Sequence, residues 1–290
     1  MSKPNRALAF YLQLETEVSK NHDGLDPSYY DCLSRYYKSL KNNVSLRPFY
    51  RYSWTRRVTP MLILLHSLPP REPPWRVLDA GCGVGTEAIF WSTLRSDVQV
   101  VGVDANVERL CTARARLPYY IHRFPHLLRV SFLNDDVFRV LVTQQFDIIW
   151  VMEAISHIDP AETFITQAHS ALEPGGCLVI SDSNILNPVM AWREFRLRMQ
   201  GVTHNTPIVT ETGAVIRAAA ERYFSPGKLA CILRKSGFDL IEMHMSVFFP
   251  PVLARSRPLF AMATRLDFLL GRLFGLRTLG GIYTLVARSI

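Results

Sequence analysis

The chain has 290 residues, of which 48% are hydrophobic and 20% are charged, and its formal net charge at pH 7 is +8. These values are typical of a globular protein with a sizeable core, and they exclude a disordered or fibrous chain. The five cysteines are an odd number without paired spacing, which predicts free thiols and a reducing, cytoplasmic setting. No segment reaches the roughly 18 uninterrupted apolar residues of a membrane-spanning helix, and the N-terminus lacks the pattern of a secretory signal.

The charge is divided unevenly along the chain. Residues 1–75 carry +5, residues 76–182 carry −5 and residues 183–290 carry +8. The two basic flanks and the acidic middle therefore favour different ligands. A solvated surface with an excess of arginine is the alternative interpretation.

The first 74 residues are predicted to form a helical N-terminal cap. Apolar residues recur at three- and four-residue spacing through most of residues 5–67. The proline-rich segment 68–75 cannot continue a helix, so we place a boundary there. Residues 75–290 then form a second unit.

Short apolar runs alternate with helical segments from residue 75 onwards. The predicted strands lie in WRVLDAG, VQVVGVDAN, LLRVSFLND, FDIIWVMEA and GGCLVISDS. Strands that alternate with helices imply right-handed crossovers and a parallel sheet covered on both faces. The strands are near-continuous apolar runs, as burial on both faces requires. We therefore predict an α/β fold.

The alternation ends after residue 183. We predict residues 184–225, which are polar and rich in arginine, to be helical and to contain no strand. A helix at 226–238 and strands at 239–249 and 280–290 complete the pattern. The residues between those two strands are too many for a hairpin loop.

The second of these irregular segments, at about 250–280, is predicted to contain a basic amphipathic helix. If it is helical, Arg257, Arg265 and Arg272 fall on one face. Its large apolar residues fall on another face: Leu259, Met262, Leu266, Leu269, Leu270 and Leu273.

The stretch VLDAGCGVGTEA, residues 77–88, places four small residues directly after an apolar strand and an aspartate. Glycine is expected where a chain turns sharply or where a ligand must reach the backbone. Taken alone, the stretch is compatible with a structural turn or with a ligand cradle.

Polar residues follow the next strands at the same predicted edge of the sheet. Asp104 ends the second strand, 19 positions after Gly85, where a carboxylate can accept both hydroxyls of a ribose. Residues 134–136 (Asn-Asp-Asp) end the third strand and suit an adenine amino group. Residues 152–153 (Met-Glu) end the fourth. Because the carboxyl ends of parallel strands meet at one edge, the sequence predicts a nucleoside site there.

The motifs DAGCGVGT, VVGVDAN, LNDD, FDIIWVMEAISHI and ALEPGGCLVISD resemble, in order, those of class I S-adenosylmethionine-dependent methyltransferases, in particular the small-molecule branch. The resemblance implies a Rossmann-like seven-stranded sheet, mostly parallel with an antiparallel last strand. It implies helices on both faces and S-adenosylmethionine as the cofactor.

The resemblance also implies a set of cofactor-binding residues. By this resemblance, the methionine part is held by Asp79 and by the backbone of Gly81, Gly83 and Gly85. Asp104 holds the ribose, and Asp135 or Asp136 reaches the adenine. The full set is Asp79, Gly81, Cys82, Gly83, Gly85, Asp104, Ala105, Asn106, Asp135, Asp136, Val137 and Met152. A nicotinamide-binding enzyme is disfavoured, because Glu87 at the start of the following helix would repel a pyrophosphate.

Methyl transfer is an in-line displacement that needs a base only when the acceptor loses a proton as it attacks. His157 is the candidate base, and Glu153 is a second candidate. The alternative for His157 is that it packs against the next helix. Some relatives in this class bind a metal through an ExxEH run, but here the second carboxylate is missing, so we predict no metal at Glu153, His157 and Asp159.

In this class the segment after the fifth strand usually builds the substrate lid, which assigns residues 184–225 to that role. The predicted substrate-binding residues are Trp192, Arg193, Arg196, Tyr29 and Tyr37. The aromatic cap suits a small, lipophilic or aromatic acceptor that is methylated on oxygen or carbon. One alternative is an RNA or protein methyltransferase that uses the basic flanks. Another is a non-catalytic partner protein that binds S-adenosylmethionine.

The location and partners are also predicted from the flanks. Nucleic acid is disfavoured, because the basic residues alternate with apolar helix positions and form no cluster. Residues 256–277 could lie on an anionic membrane surface, cover the pocket or form a homodimer seam. We therefore expect a cytoplasmic protein, with membrane-surface association as an open alternative.

Overall fold

The computed structural model describes residues 3–19, 27–124, 129–199, 206–209, 215–218, 222–273 and 275–290. Its helices are α1 Lys3–Ser19, α2 Pro27–Tyr36, α3 Lys38–Asn42, α4 Arg47–Ser67, α5 Thr86–Ser92, α6 Val107–Ile121, α7 Val137–Thr143, α8 Ala161–Ala171, α9 Pro188–Met199, α10 Pro226–Lys235 and α11 Arg257–Leu270. Its strands are β1 Trp75–Ala80, β2 Val98–Val103, β3 Val130–Leu133, β4 Phe146–Met152, β5 Leu172–Ser183, β6 Thr206–Val209, β7 Val215–Ala218, β8 Phe238–Ser246 and β9 Ile282–Ser289.

Seven of these strands form one sheet in the order β3-β2-β1-β4-β5-β9-β8. Strands β1 to β5 pair in parallel, whereas β9 is antiparallel to both of its neighbours. This confirms the predicted Rossmann-like sheet with an antiparallel last strand. The strand order reverses between β1 and β4, which is where open α/β sheets bind their ligands.

The residues of each central strand alternate between two apolar layers. Val77 and Ile148 belong to the layer under α1, α4, α5 and α6, and Leu78 and Ile149 belong to the layer under α7, α8 and α10. Burial on both faces explains why the strands read as continuous apolar runs. The N-terminal helices are thus part of the covering of one sheet face.

A buried polar network ties the N-terminal helices to the glycine turn. Arg116 of α6 is 0% exposed, and its Nε and Nη2 each lie 2.9 Å from a carboxylate oxygen of Glu17 in α1. The same guanidinium donates to the Val84 carbonyl at 2.5 Å and to Thr86 Oγ1 at 2.8 Å. The position of α1 therefore bears directly on the turn between β1 and α5.

The segment after β5 differs from its prediction. Helix α9 is present, but β6 and β7 form an antiparallel two-stranded ribbon in which Val209 pairs with Val215. The expectation of no strand in residues 184–225 is therefore wrong. The β-branched residues of TPIV and VIRA favour extended pairing, but the segments are too short to show a clear strand pattern.

Candidate active site

A cavity of about 880 Å³ opens at the carboxyl ends of β1 to β5. Most of the predicted cofactor residues at the strand ends line it, together with both predicted bases. The lining residues that the sequence singled out are Gly81, Asp104, Ala105, Asn106, Asp135, Asp136, Val137, Met152, Glu153, His157 and Arg193. The sheet topology thus collects these residues, which are far apart in sequence, around one space.

The glycine turn has a backbone that only glycine adopts readily. Gly81 and Gly85 have φ angles of +77° and +75°, in the left-handed region. A Cβ on Gly81 would lie 2.5 Å from the Cβ of Ala154, and one on Gly85 would lie 2.5 Å from the Phe132 ring. The glycines are therefore required both for the turn and for the close approach of neighbouring elements.

Asp104 is fixed between this turn and the end of β2. Its Oδ2 accepts the Gly83 N–H at 2.8 Å, and its Oδ1 accepts the Asn106 N–H at 2.8 Å. Each carboxylate oxygen retains a further lone pair for a ligand hydroxyl. The carboxylate is thus held at the cavity wall in a pose that can accept a ribose.

The methionine end of the predicted cofactor site is strongly acidic. Burial, with Glu87 and Asp104 nearby, raises the pKa of Asp79 well above its ordinary value, although the Ala88 N–H opposes the shift. Burial likewise raises the pKa of Glu87, which accepts the Trp54 Nε1–H at 2.7 Å. The Oδ2 of Asp79 is buried and has no hydrogen-bond partner in the part of the chain described here. An ammonium or sulfonium group would satisfy this environment, so the donor set fits S-adenosylmethionine.

The adenine end is formed by the loop between β3 and α7. Asp136 caps α7 by accepting the Phe138 N–H at 2.9 Å, and Asp135 Oδ1 accepts the Asp136 N–H at 2.8 Å. Asn134 donates to the carbonyls of Asp104 and Ala105 at 2.9 and 3.0 Å, which joins the two loops. Both aspartates line the cavity, so the structure leaves either one able to reach an adenine.

At the opposite end of the cavity, Glu153 follows β4 with a φ of +50°, an uncommon conformation for this residue type. Its Oε1 lies 2.8 Å from Nη2 of Arg57, a buried residue of α4. The N-terminal cap therefore supplies a cation to this end of the cavity. The separation of the two residues in sequence explains why no local pattern indicated the pair.

Asp182 lies beside this pair, at the end of β5. Its side chain lines the cavity although the residue is only 2% exposed, and it accepts the N–H groups of Ser183 at 2.6 Å and Ser156 at 3.2 Å. Burial raises the pKa of Asp182 to about 6, against the opposing effect of the Ser183 N–H and of Arg57. A carboxyl with this pKa is well placed to accept a proton near neutral pH.

His157 is exposed and lies in a single helical turn, residues 155–157, that follows β4. It lines the cavity together with Asp159 and Glu153. Within the described ranges, no group of three His, Cys, Asp or Glu side chains is arranged to hold a metal ion. His157 therefore stays a candidate base, and Asp182 is a second one.

Several predicted residues lie outside the cavity lining. Tyr29 is buried in the cap, where its hydroxyl donates to Glu17 at 2.6 Å, and the Tyr37 hydroxyl is 2.6 Å from Thr86 Oγ1. Trp192 and Arg196 are exposed on α9. Four of the predicted cofactor residues at the glycine turn are also outside the lining: Asp79, Cys82, Gly83 and Gly85.

Three residues at or beside the cavity had no role predicted from the sequence: Asp182, Arg57 and Tyr36. Asp182 carried a signal like that of Asp104, a polar residue at the carboxyl end of an apolar strand, and could have been found by it. Tyr36 lines the cavity, and its hydroxyl lies near Gly83, where an added Cβ would meet it at 2.8 Å. No sequence signal marked Arg57.

Two curated relatives are similar to this chain. The ubiquinone biosynthesis O-methyltransferase of Bradyrhizobium sp. (strain ORS 278) is 26% identical over 129 residues, which is 44% of this chain and 46% of that protein. The protein of the same name from Nitrobacter winogradskyi is 25% identical over 178 residues, 60% of each chain. The chain thus matches about half the length of these relatives.

Among solved structures, the methyltransferase CcbJ of Streptomyces caelestis has the same fold. It superposes with a TM-score of 0.50 at 18% identity, covering 81% of this chain and 88% of that one. The family model described as a methyltransferase domain matches residues 49–243, more than half of the chain. The chain therefore belongs to the methyltransferase-domain family, in line with its resemblance to class I S-adenosylmethionine-dependent methyltransferases.

Proposed function

We propose that this protein transfers the methyl group of S-adenosylmethionine to a hydroxyl oxygen of a small, lipophilic acceptor. The observation that carries the proposal is a single cavity that joins the ribose-type carboxylate Asp104 to a buried carboxylate, Asp182. Two relatives named as O-methyltransferases support oxygen as the methylated atom. The volume of about 880 Å³ is within the range of roughly 300–1,000 Å³ for small-molecule sites.

The residues of this chain would hold the cofactor by charge and by backbone. Asp104 would accept the ribose hydroxyls. Asp79 and Glu87, which do not line the cavity, would attract the positively charged methionine end through their negative charge. Asp135 or Asp136 would accept from the adenine amino group. When bound, S-adenosylmethionine supplies a methyl group made electrophilic by its sulfonium.

The protein has two further tasks, which are to align the acceptor and to take up its proton. The acceptor oxygen would displace sulfur from the methyl carbon, which would leave the carbon–sulfur electron pair on S-adenosylhomocysteine. The hydroxyl proton passes to the carboxylate of Asp182. Glu153, paired with Arg57, would border the acceptor. Arg193 and Tyr223 line the same cavity, with the guanidinium carbon of Arg193 5.8 Å from the centre of the Tyr223 ring.

Asp104→Ala is expected to weaken S-adenosylmethionine binding by roughly 10- to 100-fold, because it removes an ionised acceptor of the ribose hydroxyls. Isothermal titration calorimetry measures the change. Asp239→Ala is the control, since Asp239 is an exposed acid on β8 and does not line the cavity. Equal affinities of the wild type and Asp104→Ala would contradict the assignment.

The activity itself is tested by incubating the protein with isotope-labelled S-adenosylmethionine and a panel of lipophilic phenols and alcohols. We expect S-adenosylhomocysteine and a labelled methyl ether by mass spectrometry. Cofactor binding without any product from the panel or from a metabolite extract would favour a non-catalytic partner. Label found only in RNA or protein would overturn the small-molecule acceptor.

A further inference from the structure

Helix α11 presents an apolar stripe to solvent. Leu259, Met262, Leu266 and Leu269 recur at three- and four-residue steps, so they share one side of the helix, and each is between 45% and 55% exposed. Apolar side chains scattered singly on a surface are ordinary, but an ordered stripe on a folded helix indicates an interaction site.

The helix is held to the protein by a different face. Asp267 is 1% exposed, and its carboxylate accepts the Phe248 N–H and the Tyr52 hydroxyl, each at 2.7 Å. Arg56 of α4 lies 3.9 Å from the same carboxylate, and Ala263 is buried nearby. The leucines are therefore not needed to attach α11 to the fold, and they remain available to a partner.

Helix α9 carries a second stripe of the same kind. Val189, Trp192, Phe195 and Met199 are between 54% and 72% exposed. Asn187, directly before α9, donates to the carbonyl of Leu279 at 3.0 Å. Asn184 donates to the carbonyls of Thr278 and Gly280, each at 2.8 Å. The start of α9 is thus attached to the end of the segment that contains α11.

The charge around the stripes selects the kind of partner. Residues 250–280 carry five arginines and one acid, and the acid, Asp267, is buried. Arg257, Arg265 and Arg272 are exposed. In the described residues, no helix is both long and apolar enough to cross a bilayer. These features fit a partner that has a negatively charged surface with an apolar layer directly beneath it.

We propose that the exposed stripes of α9 and α11 dock this protein on the surface of an anionic lipid bilayer. Leucine and tryptophan side chains would enter the interfacial layer, where tryptophan is favoured, and the arginines would pair with anionic headgroups. Because Arg193 of α9 lines the cavity, the docked protein would hold its cavity close to the bilayer. The inference goes beyond the proposed function and does not depend on the identity of the acceptor.

The test is co-sedimentation of the full chain with vesicles of phosphatidylcholine containing roughly one quarter phosphatidylglycerol, beside vesicles of phosphatidylcholine alone. We expect binding to the anionic vesicles that weakens between about 0.1 M and about 0.5 M salt. Leu266→Asp with Leu269→Asp should reduce partitioning by roughly tenfold or more, since both changes place charge in an apolar layer. Val142→Asp is the matched control, because Val142 is 72% exposed on α7.

Two further controls separate a loss of vesicle binding from a loss of folding and separate the effect of charge from that of the apolar stripe. S-adenosylmethionine binding and circular dichroism on the same variants show whether they fold, and Arg265→Glu with Arg272→Glu tests the charge without altering the leucines. Wild-type protein that stays unbound with both vesicle types would overturn the proposal. So would equal partitioning of the stripe variant and the Val142→Asp control. A dimer that dissociates in the stripe variant, with no vesicle binding, would show that a second copy covers this face.

Discussion

Glu17→Ala is expected to lower the free energy of unfolding by about 3–5 kcal/mol, because it leaves the guanidinium of Arg116 buried without its counter-ion. Arg116 is fully buried, and Glu17 accepts from both its Nε and its Nη2. Glu17 also accepts the hydroxyls of Tyr29 and Tyr120 at 2.6 and 2.8 Å. Urea denaturation followed by circular dichroism measures the change.

The control for this variant is Glu108→Ala, which breaks the exposed ion pair with Arg35. Exposed pairs contribute only about 0–1 kcal/mol, so this second variant should unfold nearly as the wild type does. A loss below about 1 kcal/mol for Glu17→Ala would show that the buried network contributes little to stability.

The same network makes stability depend on pH. Burial alone would raise the pKa of Glu17, but Arg116 and the hydrogen bonds from Arg116, Tyr29 and Tyr120 hold it below its ordinary value. A carboxyl with a lowered folded-state pKa stabilises above its unfolded pKa and loses that contribution as the pH falls through the folded value. The stability difference between the wild type and Glu17→Ala should therefore shrink below about pH 4.

Asp182→Asn is expected to reduce kcat by roughly 100- to 10,000-fold once an acceptor is found, because an amide cannot take the hydroxyl proton. The wild-type rate should rise with pH as Asp182 loses its proton, with a midpoint near its pKa of about 6, and level off above it. The variant should lack this rise. The pH–rate profile is measured from initial rates between about pH 5 and about pH 8, a range that spans the Asp182 pKa of about 6.

His157→Gln distinguishes the two candidate bases. If Asp182 accepts the proton, His157→Gln keeps the rise near pH 6, whatever its effect on KM. Loss of the rise in His157→Gln and its retention in Asp182→Asn would assign the role to His157 instead. S-adenosylmethionine affinity of both variants shows whether the cofactor end is intact.

The sheet and one end of the cavity could be predicted because their signals are local. Apolar runs mark strands buried on both faces, and Asp104 follows its strand at a fixed distance from the glycine turn. Asp182 was equally visible by this rule. The boundary of the N-terminal cap and the roles of the lining residues stay predictions.

Contacts between distant segments could not be predicted in this way. Glu17 and Arg116 are 99 residues apart, and their pairing depends on how α1 and α6 pack on the finished sheet. For the same reason, Tyr29 was expected at the acceptor and lies in that network instead. A tyrosine in an aromatic-rich cap carries no local sign of which partner its hydroxyl will meet.

Two consecutive residues of α4 connect the proposed docking helix to the cavity. Arg56 pairs with Asp267 of α11, and Arg57 pairs with Glu153 at the cavity. A shift of α11 that displaces α4 would change the free energy of ligand binding at Glu153. Any such coupling is reciprocal. If vesicle binding increases the affinity of the protein for S-adenosylmethionine by some factor, S-adenosylmethionine must increase the affinity of the protein for vesicles by the same factor. Adsorption and cofactor affinity can then be measured as one cycle, from either side.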